Sequence, residues 1–132
     1  MLKTTPKSIV LSANERLLGA HVLCLDNDKS VLSAMQTLLQ GWGCEVTSVS
    51  TFKRAVAAIE QRHYDVVLAD FRLDYSETGL DFLALVEANG VLITAEQDKS
   101  LEDAANELGH HYLAKPIEPA ALKALMLFLL NN

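Results

Sequence analysis

The amino-acid sequence predicts an α/β fold: a doubly wound, five-stranded parallel sheet with helices on both faces. Two observations carry that expectation. Apolar runs of strand length, "VLCL" and "VVLA" among them, alternate with stretches whose apolar residues recur at helical spacing, giving five strand–helix pairs. Most of the runs are continuous rather than alternating, as strands covered on both faces require. With 132 residues, half of them apolar, the chain suffices for one core and is too short for two ordinary domains.

Residues 1–18 lack a sustained period and hold Pro6, two lysines and several Ser and Thr; they read as a leader or interdomain linker, with the domain spanning 19–132. The first strand is Val22–Leu25, ending in Asp26, Asn27 and Asp28. The helix after it carries Val31, Leu32, Met35, Leu38 and Leu39 and stops at the glycines of "GWG". "CEVTSVS" alternates as a strand, and Ser50 or Thr51 caps a helix whose apolar face is Phe52, Ala55, Val56 and Ile59. The third strand drives Val66, Val67, Leu68 and Ala69 straight into Asp70. A loop, "RLDYSET", then leads to a helix with Leu80, Phe82, Leu83 and Val86, closed by "NG". "VLIT" is the fourth strand, and Leu101, Ala104, Ala105 and Leu108 mark a helix ended by Gly109. "HYLA" is the fifth, and Pro119 opens the last helix from its first turn.

Composition excludes several functions. Acidic residues outnumber basic ones 17 to 11, and no Lys/Arg stripe exists to neutralise a run of phosphates, so direct contact with nucleic acid is not expected. Cys24 and Cys44 sit in apolar segments without the spacing of a zinc site, as reduced core residues of a cytosolic protein do. The apolar run Ile9–Leu11 is too short for a signal-peptide core, and the apolar C-terminal stretch is far short of a membrane span. The expected location is cytoplasmic, without membrane contact.

In an open parallel sheet the active crevice lies beyond the carboxyl ends of the strands. Those ends are Asp26–Asp28, Asp70, Thr94 and Lys115, so polar residues terminating four apolar runs converge on one edge. Singly, each has an ordinary structural role: an acid caps the next helix, a threonine fills a strand, a lysine lines a sheet edge. Together they form a pattern. Clustered carboxylates repel unless a cation neutralises them, and magnesium is the hard, oxygen-seeking candidate that leaves room for phosphate oxygens. One ammonium and one hydroxyl complete a site for phosphoryl transfer to or from an aspartate.

The segments "LDND", "LADFRLD", "VLITAE" and "HYLAKP", on successive strands, resemble the receiver domains of bacterial two-component response regulators over about residues 20 to 130. The resemblance implies a flavodoxin-like (βα)5 receiver fold and assigns roles residue by residue. Asp70 matches the phosphoacceptor that attacks a phosphohistidine or a small acyl phosphate. Asp26 and its neighbour match the acidic pair that helps hold magnesium, with the Arg72 backbone carbonyl as a further ligand. Thr94 and Lys115 would contact phosphoryl oxygens, and Pro116 would follow a cis peptide. Tyr112 matches the aromatic that follows the threonine's movement. Phosphorylation would then remodel the face made by the fourth helix, fifth strand and last helix. The implied partner is a histidine kinase or histidine phosphotransfer domain, and the apolar excess of the last helix adds a possible homodimer through that helix.

The match departs from the family at Asn27, where a second aspartate is common. Which of Asp26, Asn27 and Asp28 meets the metal stays open. Arg72 and Glu96, two residues beyond Asp70 and Thr94, match positions that in receivers flank the phosphoryl group and influence its lifetime, and are expected to pair across the site entrance. The link "EANG" into the fourth strand is short, at the end away from the site. His110 and His111 are adjacent and poor joint ligands, His21 and His63 read as surface or edge residues, and Trp42 as a packing cap. The chain ends after the last helix, so a single-domain regulator is one context. The phrases "CLDND", "GWGCEV" and "ADFRLD" favour the other, the C-terminal receiver of a hybrid sensor histidine kinase. Two alternatives remain: a pseudo-receiver that only binds proteins, and a hydrolase resembling the haloacid dehalogenases, with Asp26 as nucleophile and Asp28 as general acid.

Overall fold

A computed structural model describes residues 13–87 and 89–131 of the chain. In order, the elements are α1 (Ala13–Leu17), β1 (His21–Leu25), α2 (Lys29–Gly41), β2 (Glu45–Val49), α3 (Phe52–Gln61) and β3 (Val66–Asp70). They continue with α4 (Gly79–Leu83), β4 (Gly90–Thr94), α5 (Lys99–Glu107), β5 (His111–Ala114) and α6 (Pro119–Leu130). All pairings are parallel and the strand order is β2-β1-β3-β4-β5. The doubly wound fold expected from the alternation is therefore present.

The three inner strands are the continuous apolar runs. β3 and β4 are buried along their whole length, and β1 from Val22 onward. Side chains alternate between faces. Val22, Cys24, Val66, Leu68, Val91 and Ile93 pack with Leu32, Met35 and Leu39 of α2 and Leu122, Met126 and Leu129 of α6. Leu23, Leu25, Val67, Ala69 and Leu92 pack on the other side with Ala55, Phe82, Leu83 and Ala105 from α3, α4 and α5. β2, read as alternating, is instead half-buried over most of its length because it is an edge strand between the two helical layers.

Helix starts follow their side-chain caps. Asp28, Thr51, Thr78 and Asp98 accept backbone N–H groups at the N-termini of α2, α3, α4 and α5, and Pro119 opens α6. Gly109 takes a positive φ of 82° after α5, the conformation its glycine permits.

Two segments differ from the sequence reading. Pro6 and Ile9–Leu11 of the expected leader lie outside the described residues, yet α1 falls within that leader. Its Leu17 is 1% exposed and packed in the α2/α6 core, and Gly19 N–H donates to the Gly43 carbonyl at 2.8 Å. The helix after β3 is only five residues long and stops before Val86. His110 binds the chain where the helix stops. Its Nδ1 accepts from Gly90 N–H at 3.1 Å, so Nε2 carries the proton and faces the carbonyls of Leu83 and Val86 at 2.9 and 3.0 Å. One buried imidazole thus satisfies the end of a helix and the start of the next strand. Gly90 leaves room for it, since a Cβ there would lie 2.9 Å from the ring.

Candidate functional site

Counting along the strands explains which polar ends meet. Asp26 and Asp70 continue the Val22–Cys24 and Val66–Leu68 series, the face toward α2 and α6, and Lys115 continues from Leu113 on the same face. Thr94 continues from Leu92 on the opposite face, where Tyr112 packs. The crevice therefore has a charged half and a hydroxyl half.

In the charged half, Lys115 Nζ lies 3.2 Å from Asp26 Oδ2 and 3.0 Å from Asp70 Oδ1. Both carboxylates are buried, and the Lys115 side chain is 26% exposed. The Lys115–Pro116 peptide is cis, as expected. Burial pushes the Asp70 pKa up; the hydrogen bond from Lys115 opposes this, and the charge of Asp26 adds to the rise. For Lys115, burial pulls downward but is outweighed by Asp70 and Asp26, so its pKa is raised. Two acids share one cation.

In the other half, Glu96 is the junction. Its N–H donates to Thr94 Oγ1 at 3.0 Å, its carbonyl accepts from the Tyr112 hydroxyl at 2.7 Å, and its Oε2 lies 2.7 Å from Arg72 Nε. The expected Arg72–Glu96 pair is thus present. It is a close ion pair without hydrogen-bond alignment, and Arg72 is 75% exposed.

The three residues after β1 separate into three roles. Asp26 Oδ1 accepts from the Asp28 N–H at 2.9 Å. Asn27 Nδ2 donates to Asp74 Oδ1 at 2.9 Å, across the crevice in the loop after β3. Asp28 Oδ1 accepts from the Ser30 hydroxyl and the Ser30 and Val31 N–H groups, contacts that hold its carboxyl below the usual range. Asp28 is the helix cap.

Among the described residues no three His, Cys, Asp or Glu side chains are grouped to hold a metal. The donors fit magnesium in another way: two buried carboxylates short of positive charge, with oxygens of backbone and amide beside them, are the hard, sparse set that this ion takes together with water. His21, His63, His110 and His111 all lie elsewhere, and His111 packs its ring against Phe128. Cys24 and Cys44 are buried free thiols, and burial pushes Cys24 to about 12.

Two residues that sequence reading passed over shape the site. Asp74 stood in the quoted loop without a partner to mark it. Gly79, the first residue of α4, packs so closely that a Cβ would overlap the backbone carbonyl of Asp70, and its N–H donates to Phe71 O at 2.9 Å. A glycine closing the loop after β3 was the available signal.

The architecture and the sequence agree with known proteins. The model of the response regulator receiver domain family matches residues 22–127. The transcriptional regulatory protein ZraR of Escherichia coli O157:H7 is 32% identical over 111 residues, covering 80% of this chain and 25% of that protein. The sensor protein GacS of Pseudomonas syringae pv. syringae is 40% identical over 53 residues, 40% of this chain and 6% of that protein. The chain thus spans a quarter or less of these curated relatives. A putative response regulator from Chloroflexus aurantiacus is similar in structure, with a TM-score of 0.77 and 26% identity over 86% of this chain and 99% of that one. The Francisella response regulator 1452 receiver domain gives 0.79 and 22% identity over 86% and 98%. The chain belongs to the response regulator receiver domain family, the modules of phosphorylation-based two-component signalling.

Proposed function

We propose that this receiver accepts a phosphoryl group on Asp70 from a phosphohistidine, with Lys115, Thr94 and a divalent cation stabilising the charge on the transferred group. The observation that carries the reading is the Lys115 ammonium held between the buried carboxylates of Asp26 and Asp70. A rigid central strand presents Asp70, and burial keeps its carboxylate poorly hydrated, which favours attack on phosphorus. Lys115 is placed to pair with a phosphoryl oxygen, as charge stabilisation in phosphoryl transfer requires. Magnesium, when bound, supplies the further positive charge; Asp26, Asp70, the Arg72 carbonyl and the Asn27 side-chain oxygen would hold it. Asp28 stays outside this set because α2 uses it as a cap.

The Thr94 hydroxyl turns toward the phosphoryl group in this reading and gives up the Glu96 N–H. The loop that holds the Tyr112 hydroxyl then changes, and the face of α5, β5 and α6 changes with it. A groove of about 550 Å³ runs from Lys115, Pro116 and Ile117 along Val31, Ala34, Met35 and Leu38 of α2. It supports docking of a helix of the phosphodonor, a histidine kinase or phosphotransfer domain, beside the acceptor. Self-association through α6 belongs to the same proposal and is supported by Phe128, 58% exposed. So do a cytoplasmic location, given that no described helix is long and apolar enough to cross a membrane, and a hybrid-kinase parent, supported by the short match to a sensor protein.

Intact-mass spectrometry after incubation with magnesium and acetyl phosphate tests the assignment. One added phosphoryl group in the wild type, absent from Asp70→Asn, is expected. No addition in the wild type would favour a pseudo-receiver, and labelling lost only in Asp26→Asn would move the nucleophile to Asp26.

A further inference from the structure

The one departure from the family's acidic pair has a structural counterpart. Asn27 stands where a second carboxylate is common, and its amide donates to a carboxylate 47 positions away, Asp74 Oδ1, at 2.9 Å. Asp74 is acceptor-only, so the contact fixes which way the amide lies: nitrogen toward Asp74, oxygen left to face other groups. Among the described residues, Asp74 has no other hydrogen bond or ion pair. The bond joins the loop after β1 to the loop after β3, the two loops that follow Asp26 and Asp70.

We propose that Asn27 and Asp74 act as one unit at the cation site, Asp74 orienting the Asn27 amide oxygen as a metal ligand and returning the negative charge that an aspartate at 27 would carry. Asp74 is a positioning residue. The inference rests on the reading that a divalent cation binds between Asp26 and Asp70. The chemistry is that of outer-shell carboxylates on metal-ligating histidines: accepting the ligand's N–H fixes its orientation and makes its donor atom more basic. An amide can be polarised in the same way, because charge accepted from Nδ2–H is shared through the planar group with the oxygen. Both residues are solvent-exposed, so the bond itself adds little to fold stability. Any larger effect must come through the cation.

The test is a magnesium titration of the full chain followed by amide shifts of residues 26–28 and 70–72, with thermal unfolding in EDTA as the control. Asp74→Asn keeps a hydrogen-bond acceptor and removes only the charge. It is expected to weaken magnesium binding about tenfold, within the usual range for outer-shell partners, without changing Tm. Asn27→Asp is expected to tighten binding. In the double variant Asn27→Asp/Asp74→Asn, charge returned at 27 should restore wild-type affinity or better, a non-additivity that a simple loop tether does not produce. Unchanged affinity in Asp74→Asn, with wild-type binding intact, would leave the pair as a tether and overturn the inference alone. Absence of saturable binding in the wild type would overturn the cation reading as well.

Discussion

Replacing Asp70 with asparagine should make the fold more stable while removing the carboxylate proposed above as the phosphoacceptor. Asp70 Oδ1 lies 3.0 Å from Lys115 Nζ, and the same ammonium holds Asp26 at 3.2 Å. Two carboxylates and one ammonium leave one uncompensated negative charge in a buried place. At 3.0 Å and an effective dielectric of about 20, the attraction between Asp70 and Lys115 is about 5 kcal/mol. Dehydrating a buried carboxylate costs several kcal/mol, and repulsion from Asp26 adds to it. The balance goes against the charged form, because the Asp70 pKa is raised, by burial first. Asparagine keeps the shape and leaves Lys115 and Asp26 as a one-to-one pair. The expected gain is about 1 kcal/mol at neutral pH, typical of a single stabilising change.

The pH dependence identifies the cause. A folded pKa above the unfolded one means that wild-type stability is intact below the ordinary carboxylate value and declines as pH rises through the folded value. The asparagine variant has no such group. The gap between the two proteins should therefore be absent below about pH 4, open above it and level off by neutral pH. Urea unfolding in EDTA, followed by circular dichroism at several pH values, measures it, and Tm at neutral pH should rise by about 3–5 °C. A less stable variant at neutral pH, or a gap that widens on acidification, would refute the reasoning.

Three other substitutions probe separate parts of the molecule. Gly79→Ala places a Cβ against the Asp70 carbonyl and should cost about 2–4 kcal/mol in urea unfolding, with the loop after β3 displaced and phosphorylation slowed. His110→Leu strands the Gly90 N–H and the Val86 carbonyl and leaves the Leu83 carbonyl with the Val86 N–H alone, with an expected loss of about 2–3 kcal/mol and unprotected Gly90 exchange. Arg72→Ala and Glu96→Ala should change the dephosphorylation rate in the same direction, read by the decay of the mass-shifted species. Stability should stay within about 0.5 kcal/mol, as for other exposed pairs.

The fold was legible because its strong signals are local: continuous apolar runs, caps such as Thr51, and stops such as Gly109. The charged half of the site was legible too, since Asp26, Asp70 and Lys115 end strands on one side of the sheet. What escaped was whatever a distant partner decides. The helix after β3 kept its apolar spacing through Val86 but ends at Leu83, where His110, over twenty residues away in sequence, takes up the carbonyls. Asp28 and Asp26 look alike in the chain, and only the folded loop gives one to a helix and the other to Lys115. Leu17, in a stretch without sustained period, is held by packing against α6, which no local pattern announces.

The same distinction applies to how the two halves of the crevice communicate. Thr94 and Tyr112 do not depend on any particular side chain at 96 for their link, because one bonds the backbone N–H of that residue and the other its carbonyl. Among the described residues only Arg72 pairs with the carboxylate. Substituting Glu96 therefore cuts the ion pair over the crevice while leaving the threonine–tyrosine connection in place. Moving the backbone at 96 alters both bonds at once. On the proposed function, a turn of the Thr94 hydroxyl that releases the Glu96 N–H would act on the peptide segment whose carbonyl holds Tyr112, a two-hydrogen-bond link from the hydroxyl half of the site to β5. On the same proposal, the side chain at 96 can be varied to change the lifetime of the phosphoryl group without breaking the threonine–tyrosine link, because the two sets of contacts use different atoms of one residue.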